Sequence, residues 1–338
     1  MYIKRNISWD IILRYGWKNL IFFTLYALVI FGVYYGLDWT FIDLPFQPLT
    51  VIGIAVSFYI GFKNSQSYDR FWEGRKIWGG IVNYSRTWGI RVLSFVKSDN
   101  PEADKKMQEQ MILRHVAWLN ALRVQLRQPR SWSIKEGKAV ERVFDKHGER
   151  NISCNEAYHF VSMREFSDLK KRVNPATHLV KNQALDVTKL REDGVIDGFQ
   201  EIQLQSVLEE FYNLQGKCER IKNTPFPRQY AFFSKVFTWI FVLLVPFGLL
   251  NVFEAHNQDF GIDGMDWLIF LQIPFSVLIS WIFTTMEIVG DNSEDPFEGR
   301  INDVPMTALC RTIEIDLRDM LDEQELPEPV KPKDNILY

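Results

Sequence analysis

The stretch Val51–Arg75, VIGIAVSFYIGFKNSQSYDRFWEGR, begins without a charge and ends as a charged, aromatic surface. No proline or turn cluster marks the change; Lys63 and Asn64 follow directly on Phe62. The expectation is one continuous helix that leaves an apolar medium for a polar one. At 3.6 residues per turn, Ile54, Phe58 and Phe62 form a narrow apolar stripe on it. Gly53, Ser57 and Gly61 form a stripe of small residues beside it, and such spacing lets helices approach closely in a membrane. Spacing alone favours large residues that face lipid. The other reading is a hydrophobic constriction lined by equivalent helices of an oligomer, which gates by dewetting.

Outward from this helix, Leu20–Leu37, Val236–Phe253 and Trp267–Met286 carry no charge. Each is about 18–20 residues long and as a helix rises roughly 27–30 Å, which matches the hydrocarbon thickness. The averages over 338 residues conceal these runs, with 24% charged residues, a net charge of -3 and a mean hydropathy of -0.12. Lys4, Arg5, Arg14 and Lys18 precede the first run, Lys63, Arg70, Arg75 and Lys76 follow the second, and Arg228 and Lys235 precede the third. The short loops Asp38–Gln47 and Glu254–Asp266 hold acids but no Lys or Arg. The positive-inside rule then places both ends and the middle of the chain in the cytoplasm, which requires that 48–62 cross as well. Four spans follow, near 20–37, 48–62, 236–253 and 267–286.

The first run is too long for a signal-peptide core, and no small-residue cleavage site follows it before Asp38. The three cysteines, Cys154, Cys218 and Cys310, fall in cytoplasmic parts, which argues against disulfides. The near-neutral charge gives no sign of nucleic acid as a partner.

Lys63–Lys235 reads as helical throughout. Ile77, Trp78, Ile81, Trp88, Val92 and Phe95 recur mostly at three- and four-residue steps. Asn100-Pro101-Glu102 starts a helix, and Met107, Met111, Val116, Leu119 and Leu122 give it an amphipathic pattern. Gly148, Asn151 and Asn174-Pro175 mark loops, with a helix over about Ala176–Leu190. The helix after Asp193-Gly194 carries Ile202, Leu204, Leu208 and Leu214 on its apolar side, and Thr224-Pro225-Phe226-Pro227 ends it. Beyond the turn Asp295-Pro296-Phe297, a helix covers Met306–Leu321, and 322–338 reads as a disordered tail. The economical picture is a single all-helical body over 1–321, with cytoplasmic parts 63–235 and 287–321.

Enzyme signatures are missing: there is no P-loop, G-x-S-x-G or dinucleotide fingerprint. His147, Cys154 and His159 do not have a zinc spacing. No span has an ionisable residue at its centre, which argues against proton-coupled transport. Asp69, Arg70, Glu73 and Arg75, among Tyr68, Phe71, Trp72 and Trp78, read as ion pairs and anchors at the boundary. Glu287, Asp291, Glu294, Asp295, Glu298 and Asp303 surround a turn where oxygen ligands would suit a hard cation. With Arg300 among them, a solvated or salt-bridged turn is the expectation.

Four blocks together resemble the bestrophin family in its bacterial branch. They are GIAVSFYIGFKNSQSYDRFWEGRKIWG (53–79), Gln205-Ser206-Val207-Leu208 with Cys218 downstream, PFPRQYAFF (225–233), and EDPFEGRINDVPM (294–306) with CRTIEIDL (310–317). The resemblance runs from the first span to about Leu321. It implies an all-α membrane protein of the bacterial inner membrane, a homopentamer of four-span subunits around one central pore. It implies passive conduction of inorganic ions, chloride first among them, and no catalysis. By position Ile54, Phe58 and Phe62 correspond to the rings of the family's hydrophobic neck, and Ile202 to its cytoplasmic aperture. Phe58 stands where bacterial relatives often have an aliphatic residue and animal anion channels have Phe. Its ring edge carries positive partial charge. Of the animal members' calcium clasp, Asp295 and Asp303 remain, but Glu298-Gly299-Arg300-Ile301-Asn302 intervenes, so no cofactor, calcium included, is expected. The alternatives are a cation-selective channel of the same fold and a non-conducting, membrane-anchored scaffold or sensor.

Overall fold

The computed structural model describes residues 1–7, 9–131, 159–259 and 267–338. In chain order these form α1 (Trp9–Gly36), a short 3-10 turn (Thr40–Ile42), α2 (Phe46–Phe95) and α3 (Pro101–Arg127). After the interval come α4 (Met163–Leu169), α5 (Pro175–Glu192), α6 (Gly198–Asn223) and α7 (Arg228–Asp259). The last are α8 (Trp267–Phe270), α9 (Gln272–Ser293) and α10 (Met306–Met320). Among the described residues β pairing is confined to two isolated bridges at Ile336. Four helical segments are long and apolar enough to cross a membrane: Gly16–Gly36, Thr40–Phe95, Arg228–Leu250 and Leu268–Ser293.

By their internal contacts the described residues form two compact units. One comprises 5–69 and 225–294, the other 1–4, 70–224 and 295–338. α2 contributes to both, as the unbroken polar-to-apolar stretch at its centre anticipates.

In the first unit α1 and α7 each pack on α9. α1 buries Phe23, Ala27, Ile30 and Tyr34, one face at helical spacing, and exposes Ile21, Phe22, Leu25, Leu28 and Val29. α9 is turned the opposite way from a helix in water. Its buried positions are Gln272, Ser276, Ser280, Thr284, Glu287 and Gly290, while Phe275, Leu278, Ile282, Met286 and Val289 are exposed. A helix with polar groups inward and large apolar groups outward is suited to lipid, because only there does the outer face cost nothing. The inward groups do structural work. Pro246 within α7 has no N–H to give the carbonyl of Val242. Ser280 Oγ donates to that carbonyl at 3.5 Å, and Gln272 Nε2 donates to Pro246 O at 3.1 Å. Such repair is required where no water can reach the backbone.

The second unit is centred on α3, whose segment from Met111 to Leu126 is almost entirely buried. The amphipathic pattern expected there describes only half of it. The polar side is also covered, and its charges are paired rather than solvated. Arg114 is bonded by Glu165, Gln183 and Asp186, and Arg123 donates to Thr307 Oγ1 and Asn120 Oδ1. Burial alone would lower the Arg114 pKa, but the two carboxylates outweigh it and hold it above the ordinary value. Trp78, Ile81, Trp88 and Val92 of α2, Leu204–Ile221 of α6 and Ile313 and Leu317 of α10 complete this core.

The starts of α3, α5 and α6 are capped by side chains. Asn100 and Asn174 accept from Ala103 N and Thr177 N, each with Pro at the first helical position. Asp197 and Gln200 form a reciprocal capping box at the start of α6. Residues 322–338, expected as disordered, are placed. Ile336 and Tyr338 are buried. Leu337 N donates to Met1 O at 2.9 Å, Ile3 N to Asn335 O at 3.0 Å and Ala308 N to Tyr338 O at 2.6 Å. Composition pointed to disorder because the tail is rich in proline and charge.

Candidate pore-lining surface

Within the first unit α2 has two unlike faces. Gly53, Val56, Ile60, Lys63 and Ser67, spaced by three and four, are buried against the rest of the unit. Ile54, Phe58 and Phe62 point away from it, 66%, 78% and 47% exposed. The stripe is therefore not part of the subunit's own core, and these side chains require an apolar surrounding that the single chain does not supply. The ring of Phe62 lies 6.2 Å from that of Tyr230, which limits its freedom to turn.

The small-residue stripe is divided. A Cβ on Gly53 would lie 2.9 Å from the Phe241 ring, so glycine is what allows α2 to meet α7 there. Ser57 Oγ returns its proton to Gly53 O at 2.8 Å. Nothing stands within 4 Å of a Cβ on Gly61. Only the first of the three packs on a helix of its own chain.

Directly after the stripe, Lys63 is wholly buried, although its place at the end of an apolar run suggested a solvated charge. Its Nζ donates to Glu287 Oε1 at 2.6 Å and also pairs with Asp291. Ser234 Oγ donates to Glu287 Oε2 at 2.6 Å. α2, α7 and α9 thus meet in one ionic cluster. Sequence reading missed it because Lys63 and Glu287 are 224 positions apart. The available signal was a basic residue and two acids at the same predicted depth.

In the second unit Ile202 stands one turn into α6 and is 66% exposed, beside the exposed Phe199. The capping box fixes where that helix begins and hence where this side chain projects.

The acidic residues around Asp295-Pro296-Phe297 are engaged one by one. Glu294 pairs with Arg228 at 3.3 Å within the first unit. In the second, Glu298 meets Lys222 Nζ at 2.6 Å, and Asp295 lies 3.8 Å from Arg70. Asp303 Oδ2 accepts from the amides of Gly299 and Arg300 at 2.8 and 3.0 Å. Gly299 has φ +86, a conformation that favours glycine, and it closes this turn. Burial raises the pKa of both Asp295 and Asp303, only partly countered by Arg300. Burial likewise lowers Lys222, opposed by Glu298. Among the described residues no three His, Cys, Asp or Glu are grouped to hold a metal. Cys218 and Cys310 are free and buried. Burial pushes the Cys310 thiol up to about 12 and raises Cys218 as well, which leaves neither reactive. Cys154, His147, Gly148 and Asn151 lie outside the described residues.

Comparison with known proteins agrees with this architecture. The model of the bacterial/fungal bestrophin family matches residues 10–319. The voltage-dependent anion channel-forming protein YneE of Escherichia coli K12 is 27% identical over 305 residues, 89% of this chain and 86% of that one. A protein of the same description from Mesorhizobium japonicum is 27% identical over 319 residues, 94% and 87% of the two chains. The crystal structure of a bacterial bestrophin homolog from Klebsiella pneumoniae superposes with a TM-score of 0.73 at 23% identity. It covers 90% of this chain and 98% of that one.

Proposed function

The chain belongs to the bacterial and fungal bestrophin family, and from that membership we propose that it forms a passive, anion-conducting channel. Five copies surround one pore, whose neck is made by Ile54, Phe58 and Phe62 and whose cytoplasmic aperture is made by Ile202. The observation that carries the reading is the outward face of α2, where three large apolar side chains stand opposite the buried Val56, Ile60 and Lys63. On a ring of such helices the stripe becomes a dry constriction in which an ion sheds part of its hydration. The names of the curated relatives support anions, chloride being the most abundant candidate. Phe58 supports them too if its ring edge faces the axis.

The site of action is the bacterial inner membrane, with both ends cytoplasmic. The basic residues flanking the spans support this orientation, and the pairing of Met1 and Ile3 with Leu337 and Asn335 supports an even number of crossings. Calcium at Asp295 and Asp303 is not needed for conduction, because Asp303 caps its own turn and Asp295 faces Arg70. Chelating calcium on the cytoplasmic side is expected to leave the currents unchanged; their loss would restore a calcium site.

The decisive measurement is the reversal potential of the purified protein in planar bilayers under asymmetric KCl. Anion conduction places it toward the chloride equilibrium potential. A value near that of potassium would replace the anion reading with a cation channel of the same fold. No current from a correctly assembled protein would leave the scaffold reading.

A further inference from the structure

We propose that Lys63 is a positioning residue of the neck: through Glu287, Asp291 and Ser234 it latches the neck helix to the third and fourth spans and sets how often the channel is open. The proposal rests on the channel reading above and deepens it.

Three observations carry it. Lys63 is the residue next to Phe62, and its side chain is completely buried, so any turn of α2 that moves the Phe62 ring must move a buried charge. The ammonium is held from a different helix: Glu287 and Asp291 lie one turn apart on α9, and Ser234 of α7 completes Glu287. The two helices also touch next to the cluster. Asn64 Nδ2 donates to Met286 O at 3.1 Å, and a Cβ on Gly290 would have to push the Asn64 amide aside.

A buried ion cluster is a poor way to gain stability, since apolar residues of similar volume serve as well or better. Its distinguishing property is discreteness. Charges taken out of water are either paired in good geometry or rehydrated, and intermediate positions are costly. That makes the cluster a two-state element rather than a spring. The paired state holds Phe62 at one angle, and rehydration of the cluster releases it. Ionisable groups within a membrane-spanning body commonly mark such functional positions.

The test is single-channel recording of the full-length protein in planar bilayers. Lys63→Met removes the ammonium while keeping the length of the stem. The open probability at fixed voltage is expected to change by about tenfold, within the usual range for coupled sites. The conductance of the open level and the reversal potential should stay those of the parent. The exchanged pair Lys63→Glu with Glu287→Lys should bring the open probability back toward the parent value. If Lys63→Met fails to assemble, Ser234→Ala is the milder variant: it removes one hydrogen bond to Glu287 and should shift gating several-fold in the same direction. Parent-like gating in an assembled Lys63→Met or, failing that, Ser234→Ala protein overturns the latch. So does a shift in reversal potential, which would make Lys63 a charge of the permeation path. Absence of current from the parent protein would instead overturn the channel reading itself.

Discussion

With Ile54, Phe58 and Phe62 all replaced by alanine, the protein in planar bilayers will pass about tenfold more current at the same voltage, with gating weakened or lost. A hydrophobic constriction blocks ions because water leaves it. In the proposed ring, three small side chains from each copy would widen the passage and keep it wet. Phe58→Ala alone is expected to have the largest effect of the single changes, since Phe58 is the most exposed of the three. All three residues lie outside the chain's buried cores, so their truncation leaves those cores intact and removes from within the chain the contact of Phe62 with Tyr230. A changed current therefore reports on the pore and not on misfolding. Parent-like conductance and gating in the triple variant would return the stripe to the lipid face.

The second large effect is acid sensitivity of the unit that contains α3. His115 is fully buried against Phe211 and Trp118, with ring centroids 4.4 and 5.2 Å away. Its Nε2 lies 2.8 Å from Ser85 Oγ. Ser85 already donates its proton to Ile81 O at 2.6 Å, so it accepts from His115, which fixes the neutral Nε2–H tautomer. Burial lowers the His115 pKa from 6.5 to about 3. The folded protein thus resists a proton that the unfolded chain accepts below pH 6.5. The contribution is whole above that pH, shrinks as pH falls and is gone near the folded value. The loss amounts to roughly 2 kcal/mol at pH 5 and on the order of 4–5 kcal/mol near pH 3. Asp295 and Asp303 act in the opposite sense: their raised pKa values favour the folded state in acid, a gain lost as pH rises. Denaturant unfolding in detergent at pH 7 and pH 5, followed by tryptophan fluorescence, checks this. His115→Gln should remove most of the pH 7-to-5 difference, and an equal difference in both proteins would rule His115 out as its source.

What the sequence made legible follows from which interactions are local. Span lengths, the unbroken passage of α2 through Lys63, and the starts of α3 and α5 depend on neighbouring residues, and both of these helices begin at the signalled Asn-Pro pairs, whereas α6 begins at Gly198, four residues beyond the signalled Asp193-Gly194. The stripe Ile54–Phe58–Phe62 was equally legible as a stripe. Its meaning was not, since a residue facing a pore and one facing lipid obey the same spacing. The resemblance to a known family supplied that choice, and the exposed face of α2 is compatible with it. Pairings across the chain were invisible. Lys63 with Glu287, Arg114 with Glu165 and Asp186, and Lys222 with Glu298 join charges whose partners sequence reading did not identify. The contacts of the tail were invisible for the same reason, because they are made with Met1, Ile3 and Ala308.

The meeting of the two chain ends has a practical consequence for joining copies of this protein in tandem. Leu337 and Met1 of one chain are already hydrogen-bonded, so a short linker from Leu337 of one copy to Met1 of the next must draw at least one of them out of its own pairing. A short linker would pit covalent continuity against that local annealing of the termini. A linker long enough to leave both ends seated would let concatenated subunits keep their native contacts, and so allow altered necks to be introduced one copy at a time.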